Sequence, residues 1–307
     1  MTSRVFIDGA VGTTGLEIVE RLAGRGEFEL LLLDDAQRKS AEARRDAFHT
    51  ADFAVLCLPD DAAREAAALA QGSKVRIVDA SSAHRVADGW VFGFPEVIGR
   101  ERIAEAARVS NPGCYSTGFI ALLAPLIRKG LLPSDWPYVC HAVSGYSGGG
   151  KALIARFEDD ADIAYRDYAL ALGHKHVPEM QARTGLAHAP LFAPAVIPAH
   201  RGMVVEVPLH LGLMARAAPP DGLRDCLADF YAGSALVTVH QDVPDELLLR
   251  RSMAPSDRLD LYVIGASDGS QARLIAVLDN LGKGASGAAR QNLNLMAGLP
   301  ETAGLRL

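Results

Sequence analysis

Cysteine is sparse and scattered in this chain: Cys57, Cys114, Cys140 and Cys226 are the four in 307 residues, and no CxxC pair occurs. That spacing excludes a disulfide framework and a zinc site built on cysteines, and predicts reduced thiols. Long apolar runs are also missing. None approaches the roughly 18 residues that a membrane helix needs, and Arg4 and Asp8 interrupt the start, where a secretory signal would be apolar. A cytoplasmic protein with no membrane association is expected. No basic block exists either, since 31 Lys and Arg stand against 37 Asp and Glu, a net charge of -6 spread along the chain. Nucleic acid, which demands a cationic track, is therefore not an expected partner. There is no internal repeat and no long linker. Apolar residues, by contrast, make up 49% of the chain, enough for two cores at this length.

The first half alternates strands and helices. Arg4–Asp8 reads as a buried strand and runs into Gly9, Gly12, Thr13, Thr14 and Gly15, followed by Leu16, Ile18, Val19 and Leu22 at helical spacing. Glycines here let the backbone approach a pyrophosphate whose charge meets the helix N-terminus; the spacing is GxxGxxG, not GxGxxG. A strand over 28–33 ends at Asp34 and Asp35, where an acid would hold an adenosine ribose, yet Arg38 and Lys39 follow and would suit the extra phosphate of NADP. A solvated turn is the plain alternative. Strands over 53–58 and 75–78, with an alanine-rich helix to Ala70 between them, complete the expectation of a doubly wound parallel sheet. At the carboxyl end of the fourth strand lies Asp79-Ala80-Ser81-Ser82-Ala83-His84-Arg85, where Arg85 is a candidate anion clamp.

The stretch from Val109 to Gly118 joins a strand end, the turn Asn111-Pro112-Gly113, and Cys114 on the threshold of a helix. The positive end of a helix dipole stabilises a thiolate, the nucleophilic form of cysteine, so Cys114 reads as a nucleophile; a core-filling cysteine is the alternative. Asn111 and the Cys114 N–H are the oxyanion donors to consider.

Beyond Pro133 the pattern changes. A strand over 138–143 leads to Ser144-Gly145-Tyr146-Ser147-Gly148-Gly149-Gly150-Lys151-Ala152, which spells GxxxxGK but places Ala152 where a P-loop needs a magnesium-binding hydroxyl. It reads instead as a flexible loop with Lys151 near an anion. His174-Lys175-His176-Val177-Pro178-Glu179 lacks the further ligands a zinc site needs and reads as an acid/base segment, extended up to a helix that starts after Pro178. Strands over 192–197, 204–211, 235–240 and 259–266 suggest a mostly antiparallel sheet, with Arg201 in the loop between the first two. A closing small-residue helix carries Gln291 and Asn292, which can reach a ligand amide or simply pack.

Taken together, GAVGTTG, DASSAHR, FPE, SNPGCYSTG, SGYSGGGK, HKHVPE and DNLGKGASGAARQNLN, in that order, resemble the N-acetyl-gamma-glutamyl-phosphate reductases of arginine biosynthesis. The likeness is to the shorter type 2 form within the aspartate-semialdehyde dehydrogenase superfamily. The resemblance implies an α/β protein: a doubly wound Rossmann domain for NADP from residues 1–113 and 279–307, and an α+β catalytic and dimerisation domain, 114–278, with a mostly antiparallel sheet. It implies Cys114 as nucleophile, His174 and His176 as the acid/base source, and Tyr168 and Glu179 on the substrate side. His200 stands where longer members carry another residue before Arg-Gly, and is the rival histidine.

The expected cofactor set is Gly9, Gly12, Thr13, Thr14, Gly15, Arg38, Lys39, Ser81, Gln291 and Asn292; the expected substrate set is Asn111, Arg85, Ser144, Lys151, Tyr168, Glu179 and Arg201, with no metal. The expected chemistry is attack of Cys114 on an acyl phosphate, release of inorganic phosphate, and hydride reduction of the thioester by NADPH. A homo-oligomer, dimer or tetramer, is expected. The competing readings are an aspartate-semialdehyde dehydrogenase, a non-redox cysteine hydrolase, and a nucleotide-binding scaffold.

Overall fold

The computed structural model describes residues 2–307. The chain forms two compact units, one of the residues up to Gly113 with Ala285–Leu305, the other of Cys114–Gly284 with Arg306–Leu307. The return to the first unit thus falls at Ala285, not at the expected Asp279. The N–H of Gly284 donates to the carbonyl of Asp279 (3.0 Å), which keeps residues 279–284 with the second unit.

The first unit runs β1 (Ser3–Asp8), α1 (Thr13–Leu22), β2 (Phe28–Leu31), α2 (Ala41–Thr50), β3 (Phe53–Leu56), α3 (Asp60–Leu69), β4 (Arg76–Asp79), β5 (Val91–Phe92), α4 (Pro95–Ile98), α5 (Arg100–Ala104) and β6 (Arg108–Ser110). Its six strands are parallel in the order β2-β1-β3-β4-β6-β5. Because strand side chains alternate between faces, Val5, Ile7, Phe53, Val55 and Val78 join one buried cluster with Ile18 and Leu22 of α1. Phe6, Ala54, Leu56 and Ile77 join another with Phe48 of α2 and Ala66 of α3. Two apolar faces on one sheet are what require helices on both sides. Strands β2 and β3 stop two residues earlier than expected. Edge strand β2 has its last ladder partner at Phe6, and past Leu56 the chain turns through Pro59 into α3.

The second unit comprises α6 (Cys114–Arg128), β7 (Val139–Gly145), α7 (Gly150–Asp159), β8 (Arg166–Asp167), α8 (Val177–Thr184), β9 (Leu191–Ile197), β10 (Met203–Leu209), α9 (Pro220–Phe230), β11 (Val237–Val239), β12 (Leu259–Gly265) and β13 (Ala272–Leu278). The final helix, α10 (Gly287–Met296), returns to the first unit. The seven strands lie in the order β11-β12-β13-β10-β7-β9-β8, antiparallel except for the β11–β12 and β7–β9 pairs. Helix α6 is buried on all sides from Tyr115 to Leu126, as a helix apolar around its circumference must be. Gly118 lets it press onto the sheet, since a Cβ there would lie 2.8 Å from Val205 Cγ2. Tyr231 of the α9 end donates its hydroxyl to Ala121 O (2.9 Å). Among the described residues, no helix is long and apolar enough to cross a membrane.

Candidate active site

In the first unit the glycine loop leads from β1 into α1. Gly9 has φ +89°, and a Cβ on it would sit 2.3 Å from Cys57 O; one on Gly15 would sit 2.3 Å from Gly9 O. Only glycine fits either position. Gly12 is extended at the N-terminus of α1 with no side-chain cap, and the buried Thr13 Oγ1 has no hydrogen-bond partner among the described residues, with Thr14 half-buried beside it. Unsatisfied donors at a helix start beside close-packed glycines suit a pyrophosphate, so these residues fit a dinucleotide.

At the end of β2, Asp34 Oδ1 accepts from the N–H groups of Ala36 and Gln37, capping the turn that carries Arg38 and Lys39. Arg38 pairs with Asp35 at 3.1 Å, and Lys39 is exposed. The two aspartates are thereby committed to the turn and to Arg38.

Several residues expected to touch ligands are hydrogen-bonded within this unit. Gln291 is fully buried, its amide donating to Glu96 (3.0 Å) and Glu301 (2.7 Å). Asn292 donates to Gly93 O and to Asn111 Oδ1, and Asn111 donates to Ala285 O. The Asn111 amide is therefore a bracket between strand end and helix, with one of its two N–H groups used on Ala285 O. Arg85, 6% exposed, gives its Nε to Asn111 O (3.0 Å) and so supports this bracket. Ser81 spends its hydroxyl on Asp79 and on Ala83 N; Asp79 also meets His84 Nδ1 at 2.6 Å, with the His84 ring stacked on Trp90. Small polar residues at the end of a strand are read from sequence as ligand groups, whereas here they satisfy buried backbone.

In the second unit Cys114 is the first residue of α6 and half-buried, at the positive end of the helix dipole. The other three thiols are pushed up by burial, Cys57 to about 12 with the charges of Asp79 and Asp8 adding to it. They are protonated at neutral pH. Against Cys114 packs Gly284, where a Cβ would lie 2.8 Å from Cys114 Cβ.

Around the next residue, Tyr115, gather Phe192, His174 and His176, with ring centroids 5.1, 6.0 and 5.8 Å away. The His174–His176 segment is a turn, not the extended approach expected. Val177 N donates to His174 O, His176 is helical in backbone, and α8 begins at Val177, one residue before Pro178. Proline is tolerated there because first-turn N–H groups have no helical acceptor. Both rings still face one cluster. His176 is 5% exposed, and Glu179, in the first turn of α8, is 1% exposed.

The turn also fixes a tautomer. His176 N donates to His174 Nδ1 (3.1 Å), so neutral His174 carries its proton on Nε2 and donates to Tyr168 Oη (3.2 Å). Tyr168 is placed by the two-residue strand β8, too short to read from sequence. Burial above all, with the charge of Cys114 adding to it, raises Tyr168 to about 12; Tyr115 is raised still more, first by burial, then by Tyr168 and Cys114. Both hydroxyls therefore remain protonated beside Cys114.

Of the remaining expected residues, Ser144 joins the cluster by a side-chain hydrogen bond with Tyr115. Ser144, buried at the end of β7, donates to Gly145 O. The loop after it is ordered: a tight turn at Tyr146–Gly149 with Tyr146 stacked on Phe157 (5.3 Å), then α7 with exposed Lys151 in its first turn. His200 packs on Tyr146 (5.5 Å), apart from the His174 rings. Arg201 pairs with buried Asp279 at 2.8 Å. Among the described residues, no group of three or more His, Cys, Asp or Glu is arranged to hold a metal ion.

Comparison with known proteins adds three findings. Residues 34–106 match the model of the semialdehyde dehydrogenase NAD binding domain, and residues 114–280 match that of the semialdehyde dehydrogenase dimerisation domain. N-acetyl-gamma-glutamyl-phosphate reductase 2 of Pseudomonas putida is 48% identical, covering 97% of either chain; the Rhizobium meliloti reductase is 47% identical over 96% of this chain and 99% of its own. Among solved structures, aspartate semialdehyde dehydrogenase II of Vibrio cholerae has a similar fold, with TM-score 0.73, 18% identity, and coverage of 97% and 99% of the two chains.

Proposed function

The chain belongs to the N-acetyl-gamma-glutamyl-phosphate reductase family, and on that premise we propose how its own residues carry out the reaction. The activity is the NADPH-dependent reduction of N-acetyl-gamma-glutamyl phosphate to the semialdehyde, in arginine biosynthesis. The observation that carries the assignment of the nucleophile is the position of Cys114 at the start of α6, next to the tyrosine and histidine cluster, while the thiols of Cys57, Cys140 and Cys226 are raised and lie elsewhere in the chain.

The Cys114 thiolate attacks the acyl carbon, forming the C–S bond, and the acyl–oxygen bond breaks as phosphate leaves with its electron pair. His176 takes the proton of the resting thiol and passes it to the departing phosphate oxygen. When bound, the cofactor supplies the hydride that reduces the resulting thioester. The thiohemiacetal oxyanion is met by Tyr168 and by the N–H groups at the start of α6; it then collapses, breaking the C–S bond, releasing the aldehyde and returning the thiolate, which a proton taken from solvent resets to the thiol. His174, held neutral by the His176 N–H, donates to the Tyr168 hydroxyl, which is also hydrogen-bonded with Tyr115.

Gly9, Gly12, Thr13, Thr14 and Gly15 would hold the pyrophosphate, and Arg38 with Lys39 the ribose phosphate of NADP. Arg201 and Lys151 are the cations for the substrate's anionic groups. The protein acts in the cytoplasm as a dimer or tetramer and releases inorganic phosphate. Mixing it with NADP, inorganic phosphate and N-acetylglutamate semialdehyde tests this reading. NADPH absorbance that requires phosphate is the expected result, and its absence contradicts the function.

A further inference from the structure

We infer that Asp279 is a positioning residue of this reaction: it orients Arg201 toward an anionic group of the substrate and anchors the turn that packs on Cys114. The inference rests on the acyl-phosphate reductase reading. Asp279 follows β13 directly and is fully buried. Its Oδ2 accepts from Arg201 Nη1 (2.8 Å) and from Ser256 N (3.2 Å), and its Oδ1 accepts from Leu281 N (2.9 Å). Its carbonyl accepts from Gly284 N, and Gly284 lies against Cys114 with no room for a Cβ.

The neighbouring Asn280 secures the same loops. It accepts from Gly202 N (2.9 Å) and donates to Ser147 Oγ (2.9 Å), which ties the residue after Arg201 and the turn after Ser144 to one point. Arg201 is 15% exposed and its second terminal nitrogen has no partner among the described residues. A guanidinium held by a buried carboxylate on one nitrogen presents the other in a fixed direction, so little rotamer freedom remains to be lost when an anion binds. An acyl phosphate of an amino acid carries two such anions, the phosphoryl group and the carboxylate.

The test is the reverse reaction, with inorganic phosphate and the semialdehyde varied separately. D279N should raise KM for one of them about tenfold, the scale of one charge-assisted hydrogen bond, with kcat changed less than about threefold. A rise for phosphate assigns Arg201 to the phosphoryl group, and a rise for the semialdehyde assigns it to the carboxylate. R201Q should show the same KM effect, and D279N should add nothing to it in the double variant. G284A should instead lower kcat with KM little changed.

Unchanged KM values in D279N, or a full additive effect on R201Q, overturn the inference. If D279N does not fold, R201K decides: its ammonium still pairs with Asp279 but offers no second nitrogen, so KM should rise, and a wild-type KM overturns the proposal. Wild-type protein that forms no NADPH overturns the underlying reading and this inference with it.

Discussion

The backbone N–H of His176 donates to Nδ1 of His174 at 3.1 Å, and that bond separates the roles of two histidines that lie only two residues apart. A protonated His174 would turn an N–H against an N–H, so this bond favours neutral His174, and the proposed mechanism gives the proton transfers to His176.

Replacing His176 with Asn should lower single-turnover hydride transfer by about 10²–10⁴-fold. His174→Asn should cost less, through the Tyr168 hydroxyl, and His200→Asn less than about tenfold, because His200 packs on Tyr146 away from the cluster. A His200 variant that alone falls the full amount contradicts the assignment.

Gly9→Ala places a Cβ on Cys57 O and strains a backbone with φ +89°. NADP binding should weaken by about tenfold or more, read by fluorescence titration, while the rate at which iodoacetamide labels Cys114 stays near wild type. Equal loss of both would mean general unfolding.

Arg38→Ala with Lys39→Ala should move kcat/KM from NADP toward NAD, since Asp34 is occupied in capping its own turn. Comparison of the two cofactors at equal salt checks this. An unchanged preference would show that other residues read the ribose phosphate.

Stability should fall at alkaline pH. Cys57 and Tyr168 are both raised in the folded state, each to about 12. Their contribution is complete below the unfolded values, near 9.0 and 10.0, and is lost as pH climbs from there through about 12. Urea midpoints measured from pH 8 to 12 should decline over that window, and Cys57→Ala should flatten the lower part of the slope.

The doubly wound sheet was legible because Val5, Phe6 and Ile7 alternate between two apolar faces, and because Gly9 to Gly15 sit between strand and helix. The place of Cys114 at the start of a buried helix was legible from the Pro-Gly turn before an apolar run. The strand β8 and the roles of Asp279 and Asn280 were not. Arg201 and Asp279 are 78 residues apart, and no local pattern announces a pair that forms only when a loop and a strand end meet. Gln291, Asn292, Asn111 and Ser81 show the converse: the hydrogen bonds they make within their own unit could not be read from sequence, where a buried amide that satisfies backbone looks like one that awaits a ligand.

The covalent role of Cys114 is tested most directly by withholding the cofactor. Protein incubated with N-acetyl-gamma-glutamyl phosphate alone should release one phosphate per active site in a burst and gain the mass of one acyl group, mapped to the peptide carrying Cys114. Cys114→Ala should show neither, while still binding NADP. Turnover by Cys114→Ala near the wild-type rate, or an acyl group on another residue, would contradict the account.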